Sequence, residues 1–363
     1  MKNNRVFFPN LDGLRFIAAL MVLMPHIEQI KSLLNLEYSY KFYPVEFGKL
    51  GVALFFVLSG YLITYLLLVE EDIYKNISIK KFYLRRIFRI WPLYYLVVLL
   101  SFFVFPHISF LDIGMYNEQN LSDKNIILYL LFLPNIAIGV PFISQTWSIG
   151  VEEQFYLIWP VLMKYIKNKY ILFISVFLAY FAILLLLEKF SIYPKIQALL
   201  YWFKIDCMAI GGFFALLLFN KSNLLLLLYS KSVQIITYCL ILGLLITKTF
   251  IQIIHFEVFS ILFGIVILNL SSNEKTILNI EGKLINYLGR ISYGIYMYHV
   301  IAIVIVLKLL VFLNISNILL QYLLSIILTI VISSISYTFF EKYFINIKRK
   351  FSRVTSGEDT KKN

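Results

Sequence analysis

The chain has 363 residues, of which 60% are hydrophobic and 17% aromatic, with a mean hydropathy of +0.82 and a formal net charge of +13. Apolar runs long enough to span a bilayer recur from end to end, which excludes a soluble globular protein and predicts a multi-pass membrane protein. The Lys and Arg residues lie in short loops between these runs, which indicates cytoplasmic loops beside membrane lipid and argues against nucleic-acid binding. The number and spacing of Cys207 and Cys239 fit neither a metal site nor a disulfide framework, so we expect no metal.

We predict an all-α bundle of about ten transmembrane helices. Prolines within residues 126–142 predict a broken or interfacial piece leading into the fourth span. Residues 1–345 are expected to form the membrane domain, and residues 346–363 a basic, disordered tail. In chain order the approximate spans are 13–30, 50–69, 88–105, 145–163, 170–187, 204–219, 232–248, 252–270, 285–312 and 318–341.

The distribution of charged residues predicts how the bundle is oriented. The segment 74–89, between the second and third spans, and the C-terminal segment 342–353 are strongly basic. The loop 106–125 is mainly acidic, with Lys124 as its single lysine. Because basic loops remain in the cytoplasm, both termini are expected to be cytoplasmic, as an even number of spans requires.

Two ionisable residues in the first predicted helix indicate that this helix does not simply face lipid. Arg15 and His26 are eleven residues apart, close to three helical turns, so they share one face at a separation of about 16 Å. Asp12 lies at the same end as Arg15. An imidazole in lipid is unfavourable, so we expect this face to line a protein interior or a cavity. A structural hydrogen bond from His26 to a neighbouring helix is the alternative.

Arg85, Arg86 and Arg89 cluster at the start of the third predicted helix. Arg85 and Arg89 are four residues apart and are therefore neighbours on a helix, with Arg86 beside them. Three guanidinium groups at a cytoplasmic face predict an anion site suited to phosphates. Anchoring of the helix by contact with lipid headgroups is the alternative.

Glu152 and Glu153 lie near the start of the fourth predicted span, in the aromatic segment QTWSIGVEEQFYLIWP, which also contains Trp147. Adjacent carboxylates at membrane depth need a partner or a proton. One of them beside a histidine would form an acid–base pair. Two alternatives are a cation site in a transporter and a solvated pair at the membrane interface with no chemical role.

Two further apolar segments contain polar residues. Ser59, Gly60 and Tyr61 interrupt the second predicted helix, where Gly60 permits close backbone approach and Tyr61 offers a hydroxyl; small-residue helix packing is the alternative. Asp206 lies two residues after Lys204, a spacing at which side chains do not face each other on a helix. We therefore expect Asp206 to have another partner, with a structural hydrogen bond between helices as the alternative.

The segment LGRISYGIYMYHV near the C-terminus predicts a helix with a polar, aromatic face. Tyr293, Tyr296 and His299 follow one another at three-residue spacing and so share one side, with Arg290 at the start of the segment. An interfacial belt of aromatic residues is one interpretation. The other is a ligand channel, and these four residues then join the remaining candidates for substrate binding, which are Asp12, Ser59, Gly60, Tyr61, Trp147 and Glu152.

These segments, taken in order, resemble the acyltransferase 3 family of membrane-bound O-acyltransferases. Each motif is weak alone, but the ordered set in a frame of ten spans is specific. Two positions depart from the family pattern: Lys204 stands where an Arg is usual, and Glu341-Lys342-Tyr343 where a Glu-x-Pro-like sequence is common. The resemblance covers about residues 9–345 and rests on LDGLRFIAAL with Arg15 followed by His26, FFVLSGYLI, the Arg-Arg-x-x-Arg motif at 85–89, TWSIGVEEQFYLIWP and LGRISYGIYMYH.

The resemblance implies an enzyme of the bacterial cytoplasmic membrane that moves an acyl group, often acetyl, from cytoplasmic acyl-CoA to a carbohydrate hydroxyl. The implied acceptors are lipid-linked or surface glycans such as lipopolysaccharide, capsule or exopolysaccharide. The implied catalytic residue is His26, with Glu153 as its candidate partner, and the implied residues for the CoA phosphates are Arg85, Arg86 and Arg89, with Arg15 at the same mouth.

We hypothesise that neutral His26 is a general base for the acceptor hydroxyl, oriented by Glu153 or Glu152. A covalent acyl-histidine intermediate is a second route. Many members of the family carry a fused extracytoplasmic domain, and this chain is expected to act alone or with a separate extracytoplasmic protein.

A transporter of a glycan precursor or a small anion is the alternative from another functional class. It would explain the spans and the buried charges, but it explains the three clustered arginines less well. Release of free CoA thiol that depends on substrate distinguishes the two functions. A membrane scaffold is disfavoured, because buried polar residues are costly without a function.

Overall fold

The computed structural model describes residues 5–39, 45–190, 203–251 and 254–356. Two short strands, β1 (Arg5–Val6) and β2 (Thr355–Ser356), pair in parallel and bring the two ends of the described chain together. A π-helical turn, Tyr337–Glu341, joins the last two helices. The helices are α1 (Leu11–Leu33), α2 (Val45–Tyr74), α3 (Ile79–Phe103), α4 (Asp123–Leu130), α5 (Trp147–Tyr165), α6 (Lys169–Phe190), α7 (Ile205–Phe219), α8 (Leu224–Leu228), α9 (Lys231–Thr247), α10 (His255–Ser272), α11 (Lys283–Arg290), α12 (Ser292–Phe312), α13 (Ile318–Ser336) and α14 (Lys342–Arg349).

The predicted helical class is confirmed, whereas the predicted number of about ten spans is not. Every predicted span contains a helix, and residues 126–142 contain only the end of α4 followed by turns. Within the described ranges, six helical segments are long and apolar enough to cross a membrane: Leu11–Leu33, Glu46–Tyr74, Ile79–His107, His255–Ser272, Ser292–Phe312 and Ile318–Arg349.

Length and charge explain why α5, α7 and α9 are not among these six segments. The helix α7 has 15 residues and α9 has 17, which gives about 22–26 Å at a rise of 1.5 Å per residue, against about 30 Å of hydrocarbon. The helix α5 contains Glu152, Glu153 and Lys164. The molecule is therefore a helical membrane protein in which several helices are shorter or more polar than a simple span.

The long helix α2 lies at the centre of the bundle and packs against α1, α5, α7 and α10. Its contact with α7 is close because glycines face backbone atoms of the opposite helix. A Cβ placed on Gly60 would lie 1.8 Å from the carbonyl oxygen of Met208. Small residues of this kind let membrane helices approach closely, so Gly60 contributes to the packing that fixes Ser59 and Tyr61.

The C-terminal segment, expected to be a disordered tail from residue 346, contains ordered structure up to Ser356. The helix α14 continues to Arg349 and packs against α3, and β2 pairs with β1. Apolar contacts explain this order, since Val354 is buried and the rings of Phe351 and Phe88 stack with centroids 5.7 Å apart. Residues 357–363 lie outside the described residues.

We predict that Gly60→Ala lowers the thermal unfolding midpoint of the detergent-solubilised protein, because the added methyl group forces α2 and α7 apart. The matched control is Gly243→Ala in α9, where an added Cβ has no atom within 4 Å. Alanine ordinarily stabilises a helix by up to about 1 kcal/mol relative to glycine, so the control should keep or raise the midpoint. Equal midpoints for the two variants would contradict the close contact between α2 and α7.

Candidate active site

A cavity of about 240 Å³ lies between α1, α2, α3, α5, α12 and the C-terminal helix α14. Its walls are partly apolar, with Val52, Phe55 and Phe56 of α2 among them. Cationic side chains outnumber acidic ones, so the cavity favours an anionic ligand. The cationic residues of the lining are Arg15, Arg86, Arg89, Arg290 and Lys348, the acidic ones Asp12 and Glu152, and the hydroxyl-bearing ones Ser59, Ser148, Tyr156, Ser292, Tyr293 and Tyr296.

Two of the three clustered arginines of α3 line this cavity, and the third does not. Arg85 turns away and donates hydrogen bonds to the Glu70 carboxylate (3.3 Å) and to the carbonyl oxygen of Phe351 (3.2 Å). The Glu70 side chain is 1% exposed. A buried carboxylate needs a cationic partner, and Arg85 is that partner, whereas Arg89, one turn later on α3, lines the cavity. Arg85 therefore ties α3 to α2 and to the C-terminal segment.

Arg86 is held in the cavity wall by aromatic rings. Its guanidinium carbon lies 5.5 Å from the centroid of Tyr156 and 5.8 Å from that of Phe82, distances typical of cation–π contacts. Its Nε is buried and has no hydrogen-bond partner among the described residues. Arg89 bonds weakly to the carbonyl oxygen of Arg290, with a separation of 3.5 Å. The two sides of the arginine cluster, on α3 and α11, thus meet at the cavity.

The adjacent glutamates of α5 have different surroundings. Glu152 lines the cavity and accepts hydrogen bonds from the hydroxyls of Ser59 and Tyr156. Glu153 instead accepts a hydrogen bond from the indole of Trp91 on α3, at 3.0 Å. Consecutive residues on a helix point about 100° apart, and of these two glutamates only Glu152 lines the cavity.

His26 of α1 and His299 of α12 form a pair of imidazoles beyond the cavity lining. Their ring centroids are 4.8 Å apart, with the planes inclined by 71°. His26 Nδ1 lies 2.7 Å from the carbonyl oxygen of Val22, and His299 Nδ1 lies 2.7 Å from that of Tyr296. A carbonyl oxygen only accepts hydrogen bonds, so each Nδ1 carries the proton and a neutral ring has its lone pair on Nε2.

Tyr296 connects the imidazole pair to the cavity. Its ring lines the cavity, lies 5.9 Å from the ring of His299, and packs against Phe55 at 5.9 Å. Its hydroxyl donates to the carbonyl oxygen of Gln145 (2.7 Å) and contacts the Ser148 hydroxyl (2.6 Å). Among the described residues, neither glutamate of α5 forms a hydrogen bond with His26. The carbonyl oxygen of Val22 therefore orients His26, a role that we expected for Glu153 or Glu152.

Other candidates from the sequence have structural contacts. The Tyr61 hydroxyl bonds to Ser271 of α10 at 2.8 Å, and Trp147 packs edge-on against Phe56. Lys204 pairs with Glu257 of α10 at 3.0 Å. Asp206 is buried beside this ion pair, and its Oδ1 has no partner among the described residues. These contacts are of the kind that joins helices.

The sequence interpretation missed Lys348, Ser148 and Tyr156 as lining residues. Lys348 belongs to the basic segment 342–353, whose charge indicated only the orientation of the protein in the membrane. Ser148 and Tyr156 flank the two glutamates on α5 and, at i−4 and i+4 from Glu152, share its face. Across the described ranges, no group of three or more His, Cys, Asp or Glu side chains could hold a metal ion.

A family model described as an acyltransferase domain matches residues 8–338, which confirms the resemblance drawn from the motifs. No solved structure matches the chain.

Several named proteins are similar over part of the chain. A peptidoglycan O-acetyltransferase of Listeria monocytogenes is 33% identical over 176 residues, which are 46% of this chain and 26% of that protein. A Staphylococcus aureus protein (strain COL), whose name gives O-acetyltransferase as a suggested activity, is 33% identical over 180 residues, or 45% of this chain and 26% of that protein. A Haemophilus influenzae protein without an assigned function is 34% identical over 146 residues, covering 36% of this chain and 57% of that protein. The matches span about a quarter of the first two relatives.

We predict that Arg85→Met lowers the free energy of unfolding by about 3 kcal/mol, because it leaves the buried Glu70 carboxylate without its closest cation. The thermal midpoint of the detergent-solubilised variant checks this. The double variant Arg85→Met, Glu70→Leu should recover much of the loss, since it also removes the buried carboxylate, which Arg353 alone would then pair with, at 3.5 Å. An unchanged midpoint for Arg85→Met would show that Arg85 has no structural role.

Proposed function

We propose a reaction for this cavity on the premise that the chain belongs to the acyltransferase-domain family, as the match over residues 8–338 shows. The reaction is transfer of an acyl group, expected to be acetyl, from acyl-CoA to a hydroxyl of a cell-surface carbohydrate. The arginine-lined end of the bundle faces the cytoplasm, because it carries the basic segments. The protein would then lie in the bacterial cytoplasmic membrane with both ends of the chain inside.

The proposal rests on one observation. A single cavity is lined both by a cluster of cationic side chains and by a residue that contacts a pair of imidazoles. Arg86, Arg89 and Arg290 lie in the lining, and Tyr296 of the same lining contacts His299, which contacts His26. Guanidinium groups are suited to bind phosphates through paired hydrogen bonds. An acyl-CoA has its phosphates at one end of a long flexible arm and its thioester at the other. It fits a site with cations at one end and a base about 16 Å away, the rise of three helical turns.

The chemistry follows from the tautomer of His26. Nδ1 donates its proton to the carbonyl of Val22, so Nε2 has the lone pair that a general base needs. As the acceptor hydroxyl gives its proton to Nε2, its oxygen attacks the thioester carbonyl carbon and the carbon–sulfur bond breaks. The leaving thiolate then takes a proton from the imidazolium, which restores neutral His26. Val22 stabilises the imidazolium through its carbonyl dipole.

Other side chains of the lining shape the proposed donor site. Glu152 is hydrogen-bonded to Ser59 and Tyr156, which holds this carboxylate in the same cavity lining as the arginines. Tyr296 and Phe55 both line the cavity and pack against each other, and Tyr296 also contacts His299. We propose that these two rings line the path of the acyl group towards His26.

The acceptor is proposed only as a class, a lipid-linked or surface glycan. The printed name of one relative gives peptidoglycan as its acceptor, and lipopolysaccharide, capsule and exopolysaccharide follow from the family resemblance. A carbohydrate hydroxyl is a poor nucleophile until a base removes its proton, which agrees with a histidine at the end of the donor path. A separate extracytoplasmic protein could receive the product.

We predict that His26→Gln lowers glycan-stimulated release of free thiol from acetyl-CoA by roughly 10²- to 10⁴-fold, the contribution of a general base. The measurement uses membranes with matched amounts of folded protein, with and without a surface-glycan fraction. His107→Gln is the control, because His107 is exposed outside the bundle core.

Two results would count against this assignment, in different ways. Wild-type rates in a folded His26→Gln variant would remove His26 from the chemistry. Failure of the wild-type protein to release thiol with several glycans and several acyl donors would favour transport instead.

A further inference from the structure

We infer that Val52 and Phe56 of α2 close the inner end of the donor cavity and restrict the acyl group to a short chain such as acetyl. This inference rests on the proposed function and concerns a property that the function leaves open, the length of the acyl chain. Both side chains are apolar and buried, with exposed fractions of 6% for Val52 and 2% for Phe56.

A second and much smaller cavity lies directly beyond these two residues. Its volume is about 10 Å³, at most the space of about one water molecule. Among the described residues, Val52 and Phe56 line both cavities and no other residue does. Two side chains therefore separate the donor cavity from a region that is almost filled. The other residues that line the small cavity are Lys49 and Ala53 of α2, Trp147 of α5, Lys204 just before α7, and Phe256 of α10.

The two cavities follow one another along a single face of α2. Lys49, Val52, Phe56, Ser59 and Ile63 are spaced by three or four residues, so they share one side of the helix. Ser59 and Ile63 line the donor cavity, whereas Lys49 lines the small one. The small cavity therefore continues the donor cavity along α2, and the wall formed by Val52 and Phe56 interrupts this path.

The reacting end of the proposed donor lies near this wall. A Cβ placed on Gly48 of α2 would lie 3.5 Å from Pro25, the residue before His26. Gly48 precedes Val52 by four residues, so His26 lies within about one helical turn of Val52 in depth. A thioester beside His26 therefore has its acyl group at the closed end of the cavity.

The surroundings of Phe56 leave its ring little room to move aside. The ring packs edge-on against Trp147, with centroids 6.3 Å apart. Lys204, which lines the small cavity, pairs with Glu257 at 3.0 Å. A longer acyl chain would have to push the phenyl ring into packed side chains or place its hydrocarbon end beside this ion pair, and both are unfavourable. Apolar pockets discriminate by roughly 10- to 200-fold between ligands that differ by one methylene.

The test compares acetyl-, propionyl-, butyryl- and hexanoyl-CoA as donors for the full-length protein in membranes with a surface-glycan fraction. The value of kcat/KM for thiol release is measured for the wild type and for Phe56→Leu and Val52→Ala, which both enlarge the closed end. The matched control is Phe214→Leu in α7, because Phe214 is also buried, at 6% exposed, but lines neither cavity. Thermal midpoints show which variants are folded. If Phe56→Leu does not fold, Val52→Ala tests the same wall.

We expect the wild type to use acetyl-CoA at least roughly tenfold better than butyryl-CoA. Phe56→Leu should raise the ratio of kcat/KM for butyryl-CoA to that for acetyl-CoA by roughly tenfold, and Phe214→Leu should change it by less than about twofold. Val52→Ala should raise the ratio less than Phe56→Leu does, because it frees less space. Hexanoyl-CoA should gain less than butyryl-CoA, since its end would meet Lys204.

Three outcomes would overturn the inference and leave the proposed function intact. Equal use of hexanoyl-CoA and acetyl-CoA by the wild type would show that the cavity has no closed end. Wild-type ratios in folded Phe56→Leu and Val52→Ala would place the end of the acyl chain elsewhere. An equal change in Phe214→Leu would make the effect a general loosening of the bundle. If the wild type releases thiol from none of these donors, the proposed function fails, and this inference fails with it.

Discussion

The free-energy cost of placing a charge inside an apolar helical bundle determines where the ionisable side chains of this protein lie. An isolated charge in hydrocarbon costs several kcal/mol, so ionisable groups at that depth must be paired or must line a hydrated cavity. The bundle uses both solutions. Arg85 with Glu70 and Lys204 with Glu257 are buried pairs, whereas Arg86 and Arg89 line the cavity. Only the second group lines the space that a ligand can enter, so the division between the two decides where an anionic donor can bind.

The helices could be predicted from the sequence because apolar runs are local features of it. Every expected span contains a helix, and Pro134 and Pro141 lie in the non-helical stretch that follows α4. The number of spans could not be predicted in the same way. The helices α7 and α9 are apolar but short, and α5 contains three charged side chains, Glu152, Glu153 and Lys164. The depth of these helices in the membrane depends on their contacts with neighbouring helices, which cannot be predicted from a local sequence pattern.

The candidate site was predictable in its composition and less so in its contacts. The rings of Tyr296 and His299, expected on one face, lie 5.9 Å apart, whereas Arg15 lines the cavity and His26 lies beyond its lining. Arg85 is directed away from the cavity, unlike Arg89, by its contacts with Glu70 and Phe351. These two residues are 15 and 266 residues away from Arg85 along the chain. The orienting contact of His26 is a backbone carbonyl, which leaves no signature in a sequence. Lys348 reaches the cavity only through the packing of α14 on α3.

We propose that the donor lies with its phosphates at the arginines and its thiol near His26. Formation of a disulfide between CoA and cysteines placed in the cavity tests this orientation directly. Val52 lines the cavity next to Gly51, which faces Val22, one turn before His26. Leu66 also lines it, about 21 Å further along α2. In a Cys207→Ala, Cys239→Ala background, Val52→Cys and Leu66→Cys would be treated with the thiopyridyl disulfide of CoA. The account predicts CoA attachment at position 52 that excess acetyl-CoA blocks, and little at 66; the reverse pattern would contradict it.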